Sequence, residues 1–243
     1  MTAQKRPLLS DDWAYILPMG IFLVFTGLGN QWPRWYVESY MAKTFIVPIA
    51  LVIAWQNYTK IKWTHLGLGV LIGVIGLVQW VGMDKLLILF FQWAHLHSHV
   101  LDWVPVYGKI GISGVPTDSL NPFEHFHNAI QMWLFITFRW ACATLVVPPM
   151  EELFWRDFLW REIQSPNDFK LAEVGEWDWK ALIVVSAFFA SVHIQWITAF
   201  VWGLMIGLLL IRTRSIGACI VAHAVTNFLL GGYVLWTHDW YFW

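Results

Sequence analysis

The chain has 243 residues, of which 58% are hydrophobic and only 13% are charged, and its formal net charge is −1. Soluble domains usually contain about 25% charged residues, so this composition excludes an ordinary soluble protein and indicates a multi-pass membrane protein. A net charge so close to zero also provides no basic surface of the kind that nucleic-acid binding requires.

Seven stretches are apolar and long enough, or nearly long enough, to span a membrane, which takes about 20 residues. Each is predicted to be a helix, because lipid offers the backbone no hydrogen-bond partner and no barrel pattern is present. In chain order they cover residues 13–28, 41–55, 66–81, 129–150, 181–192, 197–211 and 216–236. The expected fold class is all-α, a polytopic transmembrane helical bundle of seven or eight spans with an intramembrane polar cavity.

The third predicted span is rich in glycine, and such spacing lets another helix approach closely. The glycines are Gly67, Gly69, Gly73, Gly76 and Gly82. Residues 86–101, which follow, leave the number of spans open, because an apolar start gives way to His95, His97 and His99. On a helix only His95 and His99 share a face. The cluster therefore fits either a metal site or an interfacial loop that contains histidines.

The distribution of Lys and Arg predicts the orientation in the membrane. If residues 86–101 do not cross, a cytoplasmic amino terminus places ten of these residues inside and four outside, as the positive-inside rule requires. Lys5 and Arg6 are followed by Asp11 and Asp12 without a small-residue cleavage pattern, so we expect the first span to be retained. The expected location is the cell (inner) membrane, crossed several times.

Arg139 lies in the middle of the fourth predicted span and has no carboxylate one helical turn away. A charge within a span is costly and requires a partner. We therefore expect Arg139 to pair with a carboxylate of another segment, for which Glu124, Asp157 and the glutamates described next are candidates. The alternative is that its side chain extends to the membrane interface.

The first of three polar clusters in the second half of the chain is Glu151-Glu152-Leu-Phe-Trp-Arg156. The preceding Pro148-Pro149 is predicted to end or kink the fourth helix, and a new helical segment would begin with the glutamates near its positive end. Glu152 and Arg156 are one turn apart and can pair. Glu151 is rotated by about 100° and stays free to accept a proton. Taken alone, the cluster fits a charged helix start at the cytoplasmic interface equally well.

The other two clusters are Phe189-Ala-Ser-Val-His193 and His223-Ala-Val-Thr-Asn227. Phe189 and His193 share a helix face, so the ring can pack beside the imidazole. A single histidine in a span is more often a hydrogen-bond partner between helices than a catalyst. His223 and Asn227 also share a face, and both can donate hydrogen bonds into one small volume, as an oxyanion requires.

Together the three motifs, Glu-Glu-x-x-x-Arg, Phe-x-x-x-His and His-x-x-x-Asn, occur in the order and spacing of one family. The chain resembles the CAAX-protease and bacteriocin-processing family of intramembrane proteases, which includes the Ras-converting CAAX endoprotease and the Abi proteins. It looks most like the bacterial CAAX-protease-related members. The resemblance covers about residues 129–235. We accordingly expect amino-terminal transmembrane helices and an irregular interfacial loop in residues 1–128, and a catalytic helical core in residues 129–243.

The resemblance implies an intramembrane endopeptidase that needs neither metal nor cofactor and cleaves a membrane-anchored or lipid-modified protein or peptide. Glu151 would activate water with the help of His193, whereas His223 and Asn227 would stabilise the oxyanion, and the other two residues would support the site. The residues so implied are Glu151, Glu152, Arg156, His193, His223 and Asn227.

Two other functions remain open at this point. Two histidines and a glutamate are a common catalytic zinc set, although the His-Glu-x-x-His motif is absent. A non-catalytic immunity or scaffold protein of the same family is the other alternative.

Overall fold

The computed structural model describes residues 8–115 and 120–243, so Lys5 and Arg6 lie outside the described residues. Within these ranges the chain contains nine helices and no strand. The helices are α1 (Asp11–Gln31), α2 (Tyr36–Ile53), α3 (Leu66–His97), α4 (Tyr107–Ser113), α5 (Pro122–His125), α6 (Ala129–Gln164), α7 (Trp179–Ser191), α8 (Trp196–Thr213) and α9 (Ile216–Thr237).

Six helices are long and apolar enough to cross a membrane, namely α1, α2, α3, α6, α8 and α9. Many of their large apolar side chains point outward, as lipid-facing helices require. The protein is therefore an integral, multi-pass membrane protein. The predicted span at residues 181–192 corresponds to α7, which has only 13 residues. At 1.5 Å per residue it is about 20 Å long, shorter than the hydrocarbon core of about 30 Å.

The open question about residues 86–101 is answered by α3, a single helix of 32 residues. Most of this segment continues the third predicted span, so no separate eighth span forms there. Two polar residues within α3, Asp84 and Lys85, have partners elsewhere in the fold. Asp84 is buried and accepts hydrogen bonds from Tyr107 and Thr198, and Lys85 lies 3.2 Å from Asp239.

The expected close approach is confirmed at Gly69, Gly73 and Gly76, where the partner helix is α9, but nothing lies within 4 Å of a methyl group added at Gly67 or Gly82. A methyl group added to Gly69 would lie 2.6 Å from the carbonyl oxygen of Ala218, and one added to Gly73 would lie 2.6 Å from that of Ala222. Backbone atoms of a packed helix cannot move aside to make room for a methyl group at such a distance. The two helices consequently contact each other through their main chains, which fixes α9 in depth and rotation.

Helix α6 runs without a break through Pro148-Pro149, so the predicted new helix start before Glu151 is wrong. It contains two π-helical segments, Cys142–Val146 directly before the prolines and Leu153–Leu159 after them. A π segment shifts the hydrogen-bond register by one residue and is common at functional sites. The wider turn accommodates prolines that would otherwise interrupt the helix.

The start of α8, directly after the turn that follows α7, is covered by the loop and helix after α3. Trp196 donates a hydrogen bond of 3.0 Å to the carbonyl of Pro105. Tyr107 and Ile110 of α4 pack with Ile88 and Phe91 of α3 in one buried cluster. This cover holds the turn between α7 and α8 within the fold.

We predict that Gly73→Ala lowers the stability of the protein, because the new methyl group would press on the α9 backbone. Overpacking of this kind costs about 1–3 kcal/mol. Thermal unfolding in detergent measures the effect. The matched control is Gly67→Ala in the same helix, where nothing lies within 4 Å of the added group. Equal unfolding midpoints for the two variants would contradict the close contact of α3 and α9.

Candidate active site

A cavity of about 340 Å³ lies between the helices of the second half of the chain and reaches α1, α2 and α3. Four of the six predicted site residues line it, namely Glu151, His193, His223 and Asn227. They come from α6, from the turn after α7 and from α9. The other two predicted residues, Glu152 and Arg156, are buried behind the cavity wall.

Glu151 is only 4% exposed. Its Oε2 atom is buried and accepts no hydrogen bond from any residue that the structure describes. Buried polar atoms are almost always hydrogen-bonded, so an unpartnered carboxylate oxygen at a cavity marks a place where water or a ligand is expected.

Glu152 has the opposite environment, because its fully buried carboxylate has two partners. The expected pair with Arg156 is confirmed, with Nε 3.3 Å from Oε2. The second partner, His223, was not predicted, and its Nδ1 lies 2.8 Å from Oε1. Since an ionised carboxylate only accepts hydrogen bonds, Nδ1 of His223 donates to it. The free nitrogen of His223 is therefore Nε2.

The ring of His193 is fixed by Phe189 in two ways. Its Nδ1 lies 2.7 Å from the Phe189 carbonyl oxygen, which can only accept, so Nδ1 carries the hydrogen and Nε2 accepts in the neutral imidazole. The expected packing of the two rings is confirmed, with centroids 4.3 Å apart. Phe189 in turn stacks on Trp202, so the orientation of His193 depends on the packing of α7 against α8.

Asn227 is held by a gap in the hydrogen bonding of α6. In the first π segment the N–H of Val147 bonds to the carbonyl of Cys142, five residues back. The next donor in this register would come from Pro148, which has no N–H. The carbonyl of Ala143 thus lacks a donor within the helix, and Nδ2 of Asn227 supplies one at 2.8 Å. The amide of Asn227 is oriented by this bond and keeps a second N–H for the cavity.

The prediction that Arg139 pairs with a carboxylate is wrong for the residues that the structure describes. Arg139 is buried, donates a hydrogen bond to the Tyr36 hydroxyl and lies 4.9 Å from the ring centroids of both Tyr40 and Trp243. Asp157, one of the candidates, instead pairs with Arg161 and accepts a hydrogen bond of 2.8 Å from Tyr15. Aromatic faces, which attract cations, surround Arg139 in place of a carboxylate.

Other parts of the cavity wall could not be predicted from sequence motifs. Phe22 and Tyr40 belong to α1 and α2, Trp80 belongs to α3, and Tyr241 lies near the end of the chain. In a chain with 18% aromatic residues, no pattern separates these from the many aromatic residues that face lipid.

The histidine cluster after α3 is partly assembled. Asp102 joins its two aligned members, with His95 Nδ1 3.0 Å from Oδ1 and His99 Nδ1 2.8 Å from Oδ2. Desolvation acts to raise the pKa of Asp102, but the hydrogen bonds to both histidines hold that pKa below its ordinary value. His97 bonds to the carbonyl of Trp93 and stays apart. The atoms of His95, His99 and Asp102 that could bind a metal ion lie within 4.8 Å of one another. Metal binding at this cluster stays a prediction.

The comparisons with known proteins agree with the motifs. Residues 131–229 match the family model described as type II CAAX prenyl endopeptidase Rce1-like. This part of the chain is therefore a domain of this family. Its members are peptide hydrolases, and the chain is accordingly an enzyme of the CAAX endopeptidase type. The matched residues include all three polar motifs. No match was found among curated proteins or among solved structures.

The two adjacent glutamates provide a test of this geometry that does not depend on activity. We predict that Glu152→Gln is strongly destabilising, because it leaves Arg156 buried without its counter-ion, a change that costs about 3–5 kcal/mol. Glu151→Gln removes a carboxylate that has no ion-pair partner among the described residues and should leave the unfolding midpoint unchanged or raise it. Thermal unfolding in detergent compares the two, and equal losses of stability would contradict the assignment.

Proposed function

We propose that the chain is an intramembrane glutamate-type endopeptidase that hydrolyses a peptide bond of a membrane-anchored or lipid-modified protein in the cell membrane. The observation that carries the proposal is the contrast between the neighbouring glutamates. Glu152 pairs with Arg156 and accepts a hydrogen bond from His223, whereas Glu151 lines the cavity and has neither an ion-pair nor a hydrogen-bond partner among the described residues. A general base must have such a free acceptor within reach of water.

In the proposed reaction Glu151 accepts a proton from a water molecule, and the water oxygen attacks the scissile carbonyl carbon. Nε2 of His193 accepts a hydrogen bond from the same water and so orients it. Glu151 then passes its proton to the leaving nitrogen as the carbon–nitrogen bond breaks. The products are a new carboxyl terminus and a new amino terminus, and the base is regenerated.

The negative charge on the carbonyl oxygen would be stabilised by His223 and Asn227. The second N–H of Asn227 is not used by any described residue. When His223 is an imidazolium, its Nδ1 donates to Glu152 and its Nε2 can donate to the oxyanion. Donors fixed in advance are worth about 100- to 1000-fold in rate each, and here His223 is fixed by Glu152 and Asn227 by the carbonyl of Ala143.

A zinc peptidase is the second candidate, and one observation favours it. Each cavity histidine has its Nδ1 bound to an oxygen and its Nε2 free, which is also common for histidines that bind metals. Against it, the donor atoms of Glu151, His193 and His223 do not converge within 4.8 Å, whereas another set in the described part of the chain does. Stoichiometric zinc whose removal abolishes cleavage would favour this candidate over the proposal.

Comparison of membrane-protein termini by mass spectrometry tests the proposal in cells that produce the wild-type protein or the Glu151→Gln variant. We expect one or more new termini with the wild type and a loss of about 100-fold or more with the variant, the usual contribution of a general base. Asp168→Asn is the control, because Asp168 is exposed and far along the chain from the cavity residues. Identical termini with all three proteins at equal abundance would support a scaffold or immunity protein instead.

A further inference from the structure

A cluster of side chains at the end of α3 takes no part in the proposed reaction. His95 belongs to the last turn of α3, whereas His99 and Asp102 belong to the loop that follows it. None of the three lines the cavity that contains Glu151. Among the residues that the structure describes, this is the only set of three or more His, Cys, Asp or Glu side chains whose metal-binding atoms converge within 4.8 Å.

The carboxylate of Asp102 joins the two histidines, one on each of its oxygens. Nδ1 of His95 lies 3.0 Å from Oδ1, and Nδ1 of His99 lies 2.8 Å from Oδ2. Two imidazoles and a carboxylate are ligands that suit a divalent transition metal ion such as Zn²⁺. Since Zn²⁺ binds such atoms at about 2.0–2.2 Å, the three atoms need only a small adjustment to surround one ion.

The exposure of the cluster allows both this adjustment and the entry of an ion. Helix α3 has 32 residues and is about 48 Å long, so its polar end extends beyond a hydrocarbon core of about 30 Å. The side chain of His99 is 79% exposed and is free to rotate, whereas those of His95 and Asp102 are 25% and 23% exposed. A metal ion in the surrounding water can therefore reach all three.

Helix α4 positions the main chain on both sides of the cluster. A methyl group added to Gly111 would lie 2.8 Å from the carbonyl oxygen of Phe91 and 3.2 Å from Cβ of His95. One added to Gly108, three residues earlier on the same face, would overlap the carbonyl oxygen of Asp102. The end of α3 and the loop are thus held together by backbone packing, so an ion would bind to ligands that are already close.

His97, the third histidine of this region, has a different environment. Its Nδ1 lies 2.8 Å from the carbonyl oxygen of Trp93, and its ring stacks on that of Trp93 with centroids 4.7 Å apart. This is the behaviour of an ordinary interfacial histidine, which buries its apolar face and exposes its polar edge. Convergence on Asp102 is therefore a property of His95 and His99 and does not extend to every histidine near the end of α3.

We propose that His95, His99 and Asp102 bind a divalent transition metal ion of the Zn²⁺ type. Each neutral ring would bind through the nitrogen that carries no hydrogen, Asp102 would bind through a carboxylate oxygen, and water would complete the tetrahedral coordination. The ion would fix the loop after α3 to the end of that helix. The carbonyl of Pro105 in this loop accepts the hydrogen bond of Trp196, so the ion would stabilise the cover of α8. This proposal does not depend on the proposed function.

Zinc binding to the full-length protein in detergent tests the site. The protein is stripped of metal with a chelator and is then titrated with Zn²⁺ in competition with a chromogenic chelator. We expect the wild type to bind one equivalent at this site. His99→Gln should weaken binding by more than about 10- to 100-fold, the loss that removal of a mere hydrogen-bond partner of a ligand causes. Asp102→Asn should have the same effect.

Two control variants locate the ion. His97→Gln removes an exposed histidine two positions from each of the proposed histidine ligands and should bind zinc as the wild type does. His193→Gln removes a histidine of the cavity and should also leave this equivalent in place. Unchanged affinity in His99→Gln would overturn the proposal. If His193→Gln loses the zinc instead, the ion lies in the cavity, which overturns the proposal and favours the zinc peptidase.

Unfolding midpoints and hydrogen exchange separate binding from folding. Without zinc, the wild type and His99→Gln should unfold at about the same temperature, because the ring removed is exposed. Saturating zinc should raise the midpoint of the wild type alone and slow amide exchange in residues 98–106. Unchanged exchange in this loop would contradict the proposed fixation.

X-ray absorption at the zinc edge of the loaded wild type requires no variant. We expect two imidazole ligands at about 2.0–2.1 Å. No binding of zinc at all, or a coordination sphere without imidazole, would overturn the proposal and leave the cluster as a hydrogen-bonded loop.

Discussion

The buried carboxylate of Glu152 is the interaction on which the rest of the site depends. It joins α6 to α9 through Arg156 on its own helix and His223 on the other. The ion pair with Arg156 and the hydrogen bond from His223 offset part of the cost of burying this charge, and Glu152 makes both contacts without lining the cavity. Its neighbour Glu151 is consequently left as the acidic group that faces the cavity.

The irregular hydrogen bonding of α6 fixes the orientation of a second side chain of the site. Because Pro148 supplies no N–H, the carbonyl of Ala143 requires a donor from outside, and Asn227 provides it. His193 is likewise tied to the carbonyl of Phe189. His193, His223 and Asn227 therefore each use one hydrogen-bonding atom for their own orientation and leave another for a ligand.

Local periodicity predicted the parts of the site that lie within one helical turn. The pairing of Glu152 with Arg156 and the packing of Phe189 on His193 follow from residues four apart, and the structure contains both. The bond between His223 and Glu152 joins residues 71 positions apart. Periodicity along one helix does not predict a contact between residues so far apart in the chain. Only the resemblance of the motifs to one family indicated that the two residues belong to the same site.

The wrong predictions have physical causes that a single sequence does not reveal. Pro148-Pro149 should break an α-helix, but a change to the π register lets α6 continue. Arg139 should require a carboxylate, but the rings of Tyr40 and Trp243 surround it. The third predicted span, residues 66–81, covers only the first half of α3, and the two partners of the buried Asp84, which are Tyr107 and Thr198, come from distant segments.

The coupling between Glu152 and His223 is the most direct test of this account. In a double-mutant cycle with Glu152→Gln and His223→Gln, we expect the free energies of unfolding to be non-additive by about 0.5–3 kcal/mol, as for residues in direct contact. The reference cycle with Glu151→Gln and His223→Gln should show weaker coupling than the first cycle, since no hydrogen bond joins those two side chains. Additive effects for the first pair, or equal coupling in the two cycles, would contradict the division of roles between the two glutamates.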